Sequence, residues 1–573
     1  DEAAEERTFF ALTLVTGSIA GIVAVVLHKG THFLIETFRT HEVFELSTYI
    51  FGGLAVFLSG FLTTRFFPST AGSGIPGVRV ALAVFHGRIK FSDTVAKFIT
   101  SMLSLSSGIS LGREGPTVAI ASGIGSNLGS FFSLSKEKVK ALVAIGSAGG
   151  IAAAFYTPIA GVIFTLEEVV GNLNANKILG PIIISSVISS ITAQILMGGE
   201  AYTFSQVHYS LTQNSDLIFY LAIGLACAFL GPLWVKSVMK MRTFYTKTLR
   251  GHKLSIMMIT FFTMGGLSII LPEVLGSGHD TIQKTLLSLI TDWKVLLFLF
   301  FLKFFATTIC YASGLSGGLF MPTLLMGASL GGLIGSLVGL QFPHINESLG
   351  SFALVGMGAF FVSVIRAPFT SIIMIFEMTR DYNIILPLMI ANITSYLISS
   401  KIHKGSIYEN LSEQDGIHLP TQEDNEVLET LVVEDAMTKD PITLSAILRV
   451  EEAYDLAKKH KFSGFSVVHR GLLVGVVSTN EIFASMARSE GSKKLIDLVE
   501  KKLITIYPDQ SLLLAFHRLN RFSISRLPVV SRLNDKKIIG IITAEDIVSH
   551  FGYHTLEDEK KEQELEKLKD SLE

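Results

Sequence analysis

The chain has 573 residues, of which 49% are hydrophobic and only 17% charged, with a net charge of −2 and a mean hydropathy of +0.50. A water-soluble enzyme of this length carries more charge, so the composition excludes an ordinary soluble fold and points to a bilayer as the main solvent. The near-neutral balance, with no basic segment interleaved with aromatics, also argues against a nucleic-acid binder.

In chain order, long stretches almost free of charge, among them residues 8–27, 46–63, 178–197, 217–235, 254–271 and 295–306, predict helices, most of them long enough to cross hydrocarbon. The first could be read as a secretory signal. Many similar segments follow it, rather than a cleavage site and a soluble domain, so it reads as a structural helix. Cys227 and Cys310 lie inside apolar segments, where small hydrophobic packing is expected and a disulfide is not.

Three motifs in this apolar region occur twice. Gly72-Ser73-Gly74 returns as Gly276-Ser277-Gly278, a shift of 204 (276 minus 72). The segment from Ser107 to Pro116, with Gly112-Arg113-Glu114-Gly115 before the proline, returns from Ser313 to Pro322, a shift of 206 (322 minus 116). Pro158 with Glu167 returns as Pro368 with Glu377, nine residues apart each time (167 minus 158, 377 minus 368). Residues 46–200 and 254–400 therefore read as two halves of one transporter.

Glycine-rich breaks facing lipid would leave backbone groups unpaired, so they belong where they line a polar cavity. A helix that starts at such a break turns its N–H groups and the positive end of its dipole into that cavity, which makes an anion site. Partial charges bind an ion strongly enough to replace water and weakly enough to release it. Carboxylates set in the same apolar sequence are functional candidates by their cost alone, and four qualify: Glu114, Glu167, Glu168 and Glu377.

Beyond Lys401 the composition becomes that of a soluble protein, with a charged run at residues 423–429. We read residues 1–415 as the membrane domain and 416–431 as a linker. Two αβ units follow, at 432–490 and 491–553. The first carries Ser463 to Val468 and Gly475 to Glu481; the second carries Ser525 to Val530 and Gly540 to Asp546. Residues 554–573 are a charged tail, expected to be a solvated helix or a frayed end.

Gly72-Ser-Gly-Ile-Pro76, Gly112-Arg-Glu-Gly-Pro116, Gly318-Leu-Phe-Met-Pro322 and Tyr408, in this order, resemble the CLC chloride channels and transporters over about residues 8–415. The resemblance implies an all-α polytopic membrane domain of two inverted repeats with broken helices, assembled as a homodimer with one pore per subunit. It implies that the central anion is held by the hydroxyls of Ser73 and Tyr408 and the backbone amides of Leu319 and Phe320. Taken alone, Ser73 would read as a helix cap and Tyr408 as an interfacial anchor. Glu114 matches the family's gating glutamate, whose carboxylate competes with chloride for the helix ends; a salt bridge to Arg113 is the plainer alternative. Glu168 stands where exchangers of the family usually have a proton-transferring glutamate and its channels commonly have valine. Glu167, repeated at Glu377, reads as a structural acceptor at a helix end. Gly77 departs from the family, many members of which have an acidic residue there.

The two αβ units resemble paired cystathionine-β-synthase (CBS) domains over about residues 432–553. The resemblance implies an adenine nucleotide (ATP, ADP or AMP) held by Phe462, Ser463, Thr543 and Asp546, the aromatic stacking on the base and the aspartate accepting from the ribose; many such pairs instead serve only dimerisation or coupling. The sequence contains no nucleophile constellation, metal-ligand cluster or Walker loop, so neither an enzyme nor a required cofactor or metal is expected.

The expectation is proton-coupled chloride antiport across the plasma (inner) membrane, chloride and protons being the partners, with the CBS pair cytoplasmic. A chloride channel on the same fold and a nucleotide sensor are the rivals. A divalent-cation transporter is a third, but it would need converging carboxylates where this chain repeats N–H-bearing breaks.

Overall fold

The computed structural model describes residues 2–38, 46–171, 178–198, 217–249, 251–343, 345, 349–417, 425–460, 462, 464–499, 503–522 and 524–551. The chain divides into a helical unit, Asp1–Gln414, and a mixed unit, Asp415–Glu573.

The helical unit begins with α1 (Glu2–Phe38), α2 (Leu46–Arg65), α3 (Ile75–Ala83), α4 (Phe91–Ser106), α5 (Glu114–Phe131), α6 (Lys136–Phe155), α7 (Pro158–Phe164) and α8 (Leu179–Leu196). The pattern then repeats as α9 (Leu217–Lys247), α10 (Lys253–Ile270), α11 (His279–Leu286), α12 (Trp293–Ala312), α13 (Phe320–Gly339), α14 (Leu349–Ile365), α15 (Pro368–Thr379) and α16 (Ile385–Ile402), closed by α17 (Ile407–Gln414). Among the described residues, eight helices are long and apolar enough to cross a membrane. Every residue of α14 is buried, as expected of a helix that is apolar all round. On α8, by contrast, Ile183, Val187, Ile191 and Ile195 recur every four residues and point outward, an apolar stripe suited to lipid or to another protein.

The pairing of helices is the same in both halves: α1 packs on α8 as α9 packs on α16, α5 on α6 as α13 on α14, and α4 on α5 as α12 on α13. The repeat therefore takes in α1 and α9, which carry no shared motif. Contacts between the halves come in reciprocal pairs. Ser101 Oγ meets Ser316 Oγ at 2.8 Å, and Ser110 Oγ meets Thr307 Oγ1 at 2.9 Å; both mates are offset by 206 (307 minus 101, 316 minus 110). Such exchange of roles is the signature of a two-fold relation between the halves.

Local chemistry explains the breaks. Gly72 and Gly74 adopt φ of 66° and 88°, and Gly276 and Gly278 adopt 63° and 90°, backbone that other residues enter only at a cost. Each turn is held by a buried lysine. Lys97 Nζ donates to the carbonyls of Thr70 and Gly72 at 2.8 and 2.6 Å. Lys303, its counterpart (303 minus 97 is 206), donates to those of Val274 and Gly276 at 3.0 and 2.7 Å.

In the mixed unit, β1 (Thr438–Lys439), β5 (Arg526–Ser531) and β6 (Asn534–Thr543) form a sheet in the order β1-β6-β5. The strands β2 (Thr443–Ser445), β3 (Gly464–His469) and β4 (Leu472–Ser478) form a second, in the order β2-β3-β4, with β2 and β3 parallel. Each sheet has its own apolar core, one around Leu527, Val529 and Ile542, the other around Phe465, Val467 and Val477. The helix Thr479–Ala487 after β4 opens on a capping box between Ser478 and Glu481.

Candidate anion and proton site

Backbone bonds between the halves bring the glycine breaks together. Gly72 N–H donates to Leu315 O at 3.2 Å and Gly317 N–H to Gly72 O at 3.0 Å, while Gly112 and Gly318 exchange both bonds at 2.7 and 2.6 Å. The heads of α3, α5 and α13 thereby converge, and α17 packs against α3. The first-turn N–H groups of a helix have no partner within it, so this convergence concentrates donors on one spot.

Of the residues expected at the anion, Ser73 and Tyr408 are fully buried. Their hydroxyls lie near enough to interact, yet neither Ser73 Oγ nor Tyr408 Oη has a hydrogen-bond partner. A buried unsatisfied hydroxyl costs about 1–3 kcal/mol, so two of them facing helix heads are donors placed for an anion. The Tyr311 hydroxyl stands behind them, accepting from Ser73 N–H at 3.5 Å. Leu319 and Phe320 form the head of α13 and are buried. The Phe320 ring is fixed by Phe155, Phe164 and Phe361, at centroid distances of 4.9, 5.7 and 4.6 Å.

Glu114 opens α5 and is 2% exposed. Its own N–H and that of Met321, in the first turn of α13, face the carboxyl group, and Oε2 has no partner. Arg113 forms no ion pair with Glu114 among the described residues; its guanidinium is set against His28 Nδ1 on α1.

Glu168 lies in a π turn, Thr165–Val169, that continues α7. The sequence offers no partner for it, but the structure does. Oε1 meets Arg79 Nη1 at 2.6 Å and accepts from Ser406 Oγ at 2.8 Å. Arg79 Nη2 bonds Glu409 Oε1 at 2.9 Å, and Glu409 Oε2 accepts from Ser406 N–H at 2.8 Å. Arg79 comes from α3 and the other two from the start of α17. These three residues and the two lysines were missed by sequence reasoning. The rule applied to glutamates, that a charge in apolar sequence needs a reason, would have found Arg79, Lys97 and Lys303.

Glu167 and Glu377 cap each other's half. Glu167 accepts from Phe369 and Thr370 N–H at 3.3 and 2.9 Å, at the head of α15; Glu377 accepts from Ile159 and Ala160 N–H at 3.0 and 2.7 Å, at the head of α7.

In the mixed unit, Phe462 is 45% exposed and stacks on His460 at 5.7 Å; Ser463 lies outside the described residues. Asp546 Oδ2 accepts from Thr543 N–H and Oγ1 at 2.9 and 2.8 Å, and Asp546 N–H returns to Thr543 Oγ1 at 3.2 Å. Thr543 is thus the N-cap of the helix at 544–551, and the expected ribose acceptor, three residues on, reaches back to it and completes a capping box. Between the two sheets Arg526 donates to Gly464 O. Burial pulls its guanidinium down to about 10, partly offset by the Asp546 carboxylate.

The family model "voltage gated chloride channel" matches residues 54–400, and CBS domain models match 433–488 and 495–553. The chain is 32% identical over 415 residues to the H(+)/Cl(-) exchange transporter ClcA of Vibrio cholerae, an alignment covering 70% of this chain and 88% of that one. It is 30% identical over 425 residues to the protein of the same name from Citrobacter koseri, covering 71% and 89%. Among solved structures it is similar to a slow cyanobacterial Cl-/H+ antiporter, with TM-score 0.66 and 25% identity over 71% of this chain and 98% of that one. A eukaryotic CLC transporter shares the fold over 94% of this chain and 98% of its own, with TM-score 0.73 at 20% identity.

Proposed function

The chain belongs to the voltage-gated chloride channel family, and from that premise we propose that it moves chloride across the membrane in exchange for protons. The observation that carries the reading is a pair of buried carboxylates set about the buried, unpartnered hydroxyls of Ser73 and Tyr408: Glu114 opens α5, at whose head Ser73 Oγ lies against Gly115, and Glu168 is bonded to Ser406, two residues before Tyr408. Chloride is bound by those hydroxyls and by the Leu319 and Phe320 amides, and no fixed cation has to release it. Glu114, ionised, competes with chloride for the heads of α5 and α13; protonated, it gives way. One group therefore answers to both ions, which is the coupling. Glu168 passes protons between the solution and Glu114.

The protein acts as a transporter and not as an enzyme, as a homodimer in the plasma membrane with a pore in each subunit. The CBS pair lies in the cytoplasm and binds adenine nucleotide through Phe462, Ser463, Thr543 and Asp546. The test is reconstitution into liposomes with a chloride gradient, following external pH and chloride together. Uphill proton movement driven by chloride is expected; chloride flux without proton movement would replace exchange by a channel.

A further inference from the structure

On the exchange reading, on which this inference rests, Glu168 gains and loses a proton while buried. We propose that Arg79 is the positioning residue that ties this proton step to the anion ligand Tyr408, by dividing one guanidinium between Glu168 and Glu409. The division is seen in the geometry: Nη1 holds Glu168 at 2.6 Å and Nη2 holds Glu409 at 2.9 Å, with Arg79 and Glu168 almost wholly buried. Ser406 closes the ring, its hydroxyl on Glu168 and its N–H on Glu409. Tyr408 lies between Ser406 and Glu409 in the first turn of α17, and Ser73 lies six residues before Arg79 (79 minus 73). The cluster thus joins the segments carrying both anion hydroxyls to the proton group.

One cation against two carboxylates leaves a net charge of −1, so the cluster is built to take up one proton. Arg79 keeps its own proton throughout, since guanidinium does not deprotonate in proteins. A proton arriving from solution binds a Glu168 oxygen; the ion pair to Nη1 and the bond from Ser406 weaken, and Glu409 alone retains Arg79. The first turn of α17 loses one of its two ties just when a proton is loaded. The segment before it stays fixed, because Arg366 donates to Ser399 O and His403 O at 2.7 and 2.8 Å. The proton then leaves toward Glu114 and the tie re-forms.

The charged and titratable groups facing Glu168 are Arg79 from α3, Tyr408 and Glu409 from α17, and Glu167 beside it. Arg366, after α14, faces Glu409 one layer out. α6, packed on the same turn, presents Ser147 to Thr165.

The test measures chloride-driven proton flux as a function of pH in liposomes holding the full-length protein. In Arg79→Gln the buried Glu168 loses its cation while the half-buried Glu409 stays beside it, so Glu168 keeps a proton to higher pH; the midpoint of proton flux should move alkaline by about one unit or more, the effect of removing an adjacent opposite charge. Arg79→Lys should restore most of the wild-type profile. In Glu409→Gln the guanidinium serves Glu168 alone, and the midpoint should move acid. Opposite shifts are what charge sharing requires. Midpoints that stay put, or that move the same way in both variants, overturn the proposal, and Glu409→Gln decides it alone if Arg79→Gln does not fold. Chloride flux without protons in the wild type would instead refute exchange, and that arm is read separately.

Discussion

The anion site can be tested without altering any of its ligands, through Gly115→Ala. A Cβ at position 115 would fall far inside van der Waals contact with Ser73 Oγ, and 3.1 and 3.2 Å from the Ser73 carbonyl oxygen and Cβ. The Ser73 backbone cannot retreat, because Gly72 is bonded to Leu315, Gly317 and Lys97. The hydroxyl is the mobile atom, so it must swing out of its place. A hydrogen bond to a charged group contributes about 1.5–3 kcal/mol, so chloride should bind roughly 10- to 150-fold more weakly. Titration calorimetry of the detergent-solubilised protein with chloride measures this, with Ser73→Ala as reference. If Gly115→Ala acts only through Ser73, the double variant should bind scarcely more weakly than Ser73→Ala. Wild-type affinity in a folded Gly115→Ala protein would refute the assignment of Ser73.

Glu114→Gln should carry chloride at a rate independent of pH and move no protons; uphill proton movement in that variant would sink the gating role. Glu168→Val should pass chloride while abolishing proton flux in the same liposome assay, and it should fold, because Arg79 retains Glu409 as its partner. Asp546→Ala should remove adenine-nucleotide heat from the full-length protein in calorimetry and, because the carboxylate also accepts from the N–H and hydroxyl of the N-cap Thr543, destabilise the CBS pair by about 1 kcal/mol. Nucleotide heat that survives the substitution would leave Asp546 with the cap alone.

What the sequence revealed and what it hid divide along a physical line. A backbone requirement leaves a mark at one position, so the left-handed glycines of Gly72-Ser-Gly74 and Gly276-Ser-Gly278 could be read directly. A partnership leaves none. Arg79 and Glu409 are 330 residues apart, and Arg113 turned to His28 rather than to its neighbour Glu114. The apolar stretch at 8–27 marked a helix but not its length: α1 runs from Glu2 to Phe38, because charged ends continue a helix that hydropathy alone cuts short. Equally, α1 and α9 share a place in the repeat through packing, with no motif to announce it. In the mixed unit, short apolar runs gave the strands, whereas the engagement of Asp546 with the N-cap Thr543 depends on a helix start that pattern does not specify.

The repeat also separates framework from chemistry. Lys97 and Lys303, Glu167 and Glu377, and Ser101 and Thr307 occur in both halves and hold backbone or join the halves. The two carboxylates given transport roles, Glu114 and Glu168, are not duplicated. At the matching offset of 206, Glu114 at the head of α5 corresponds to Phe320 at the head of α13, so one half supplies a carboxylate where the other offers only N–H groups. At the offset of 210 that relates Glu167 to Glu377, Glu168 corresponds to Met378, a buried apolar side chain. Adjacent carboxylates thus have opposite expectations. Glu167→Ala and Glu377→Ala remove equivalent acceptors from two helix heads, each of the kind that contributes about 0.5–2 kcal/mol. Both should lower the thermal unfolding midpoint by similar amounts while leaving the ratio of chloride to protons unchanged in liposomes. A changed ratio in Glu167→Ala, with an unchanged one in Glu377→Ala, would show that Glu167 shares the proton path and that repetition in this fold does not mark structural residues.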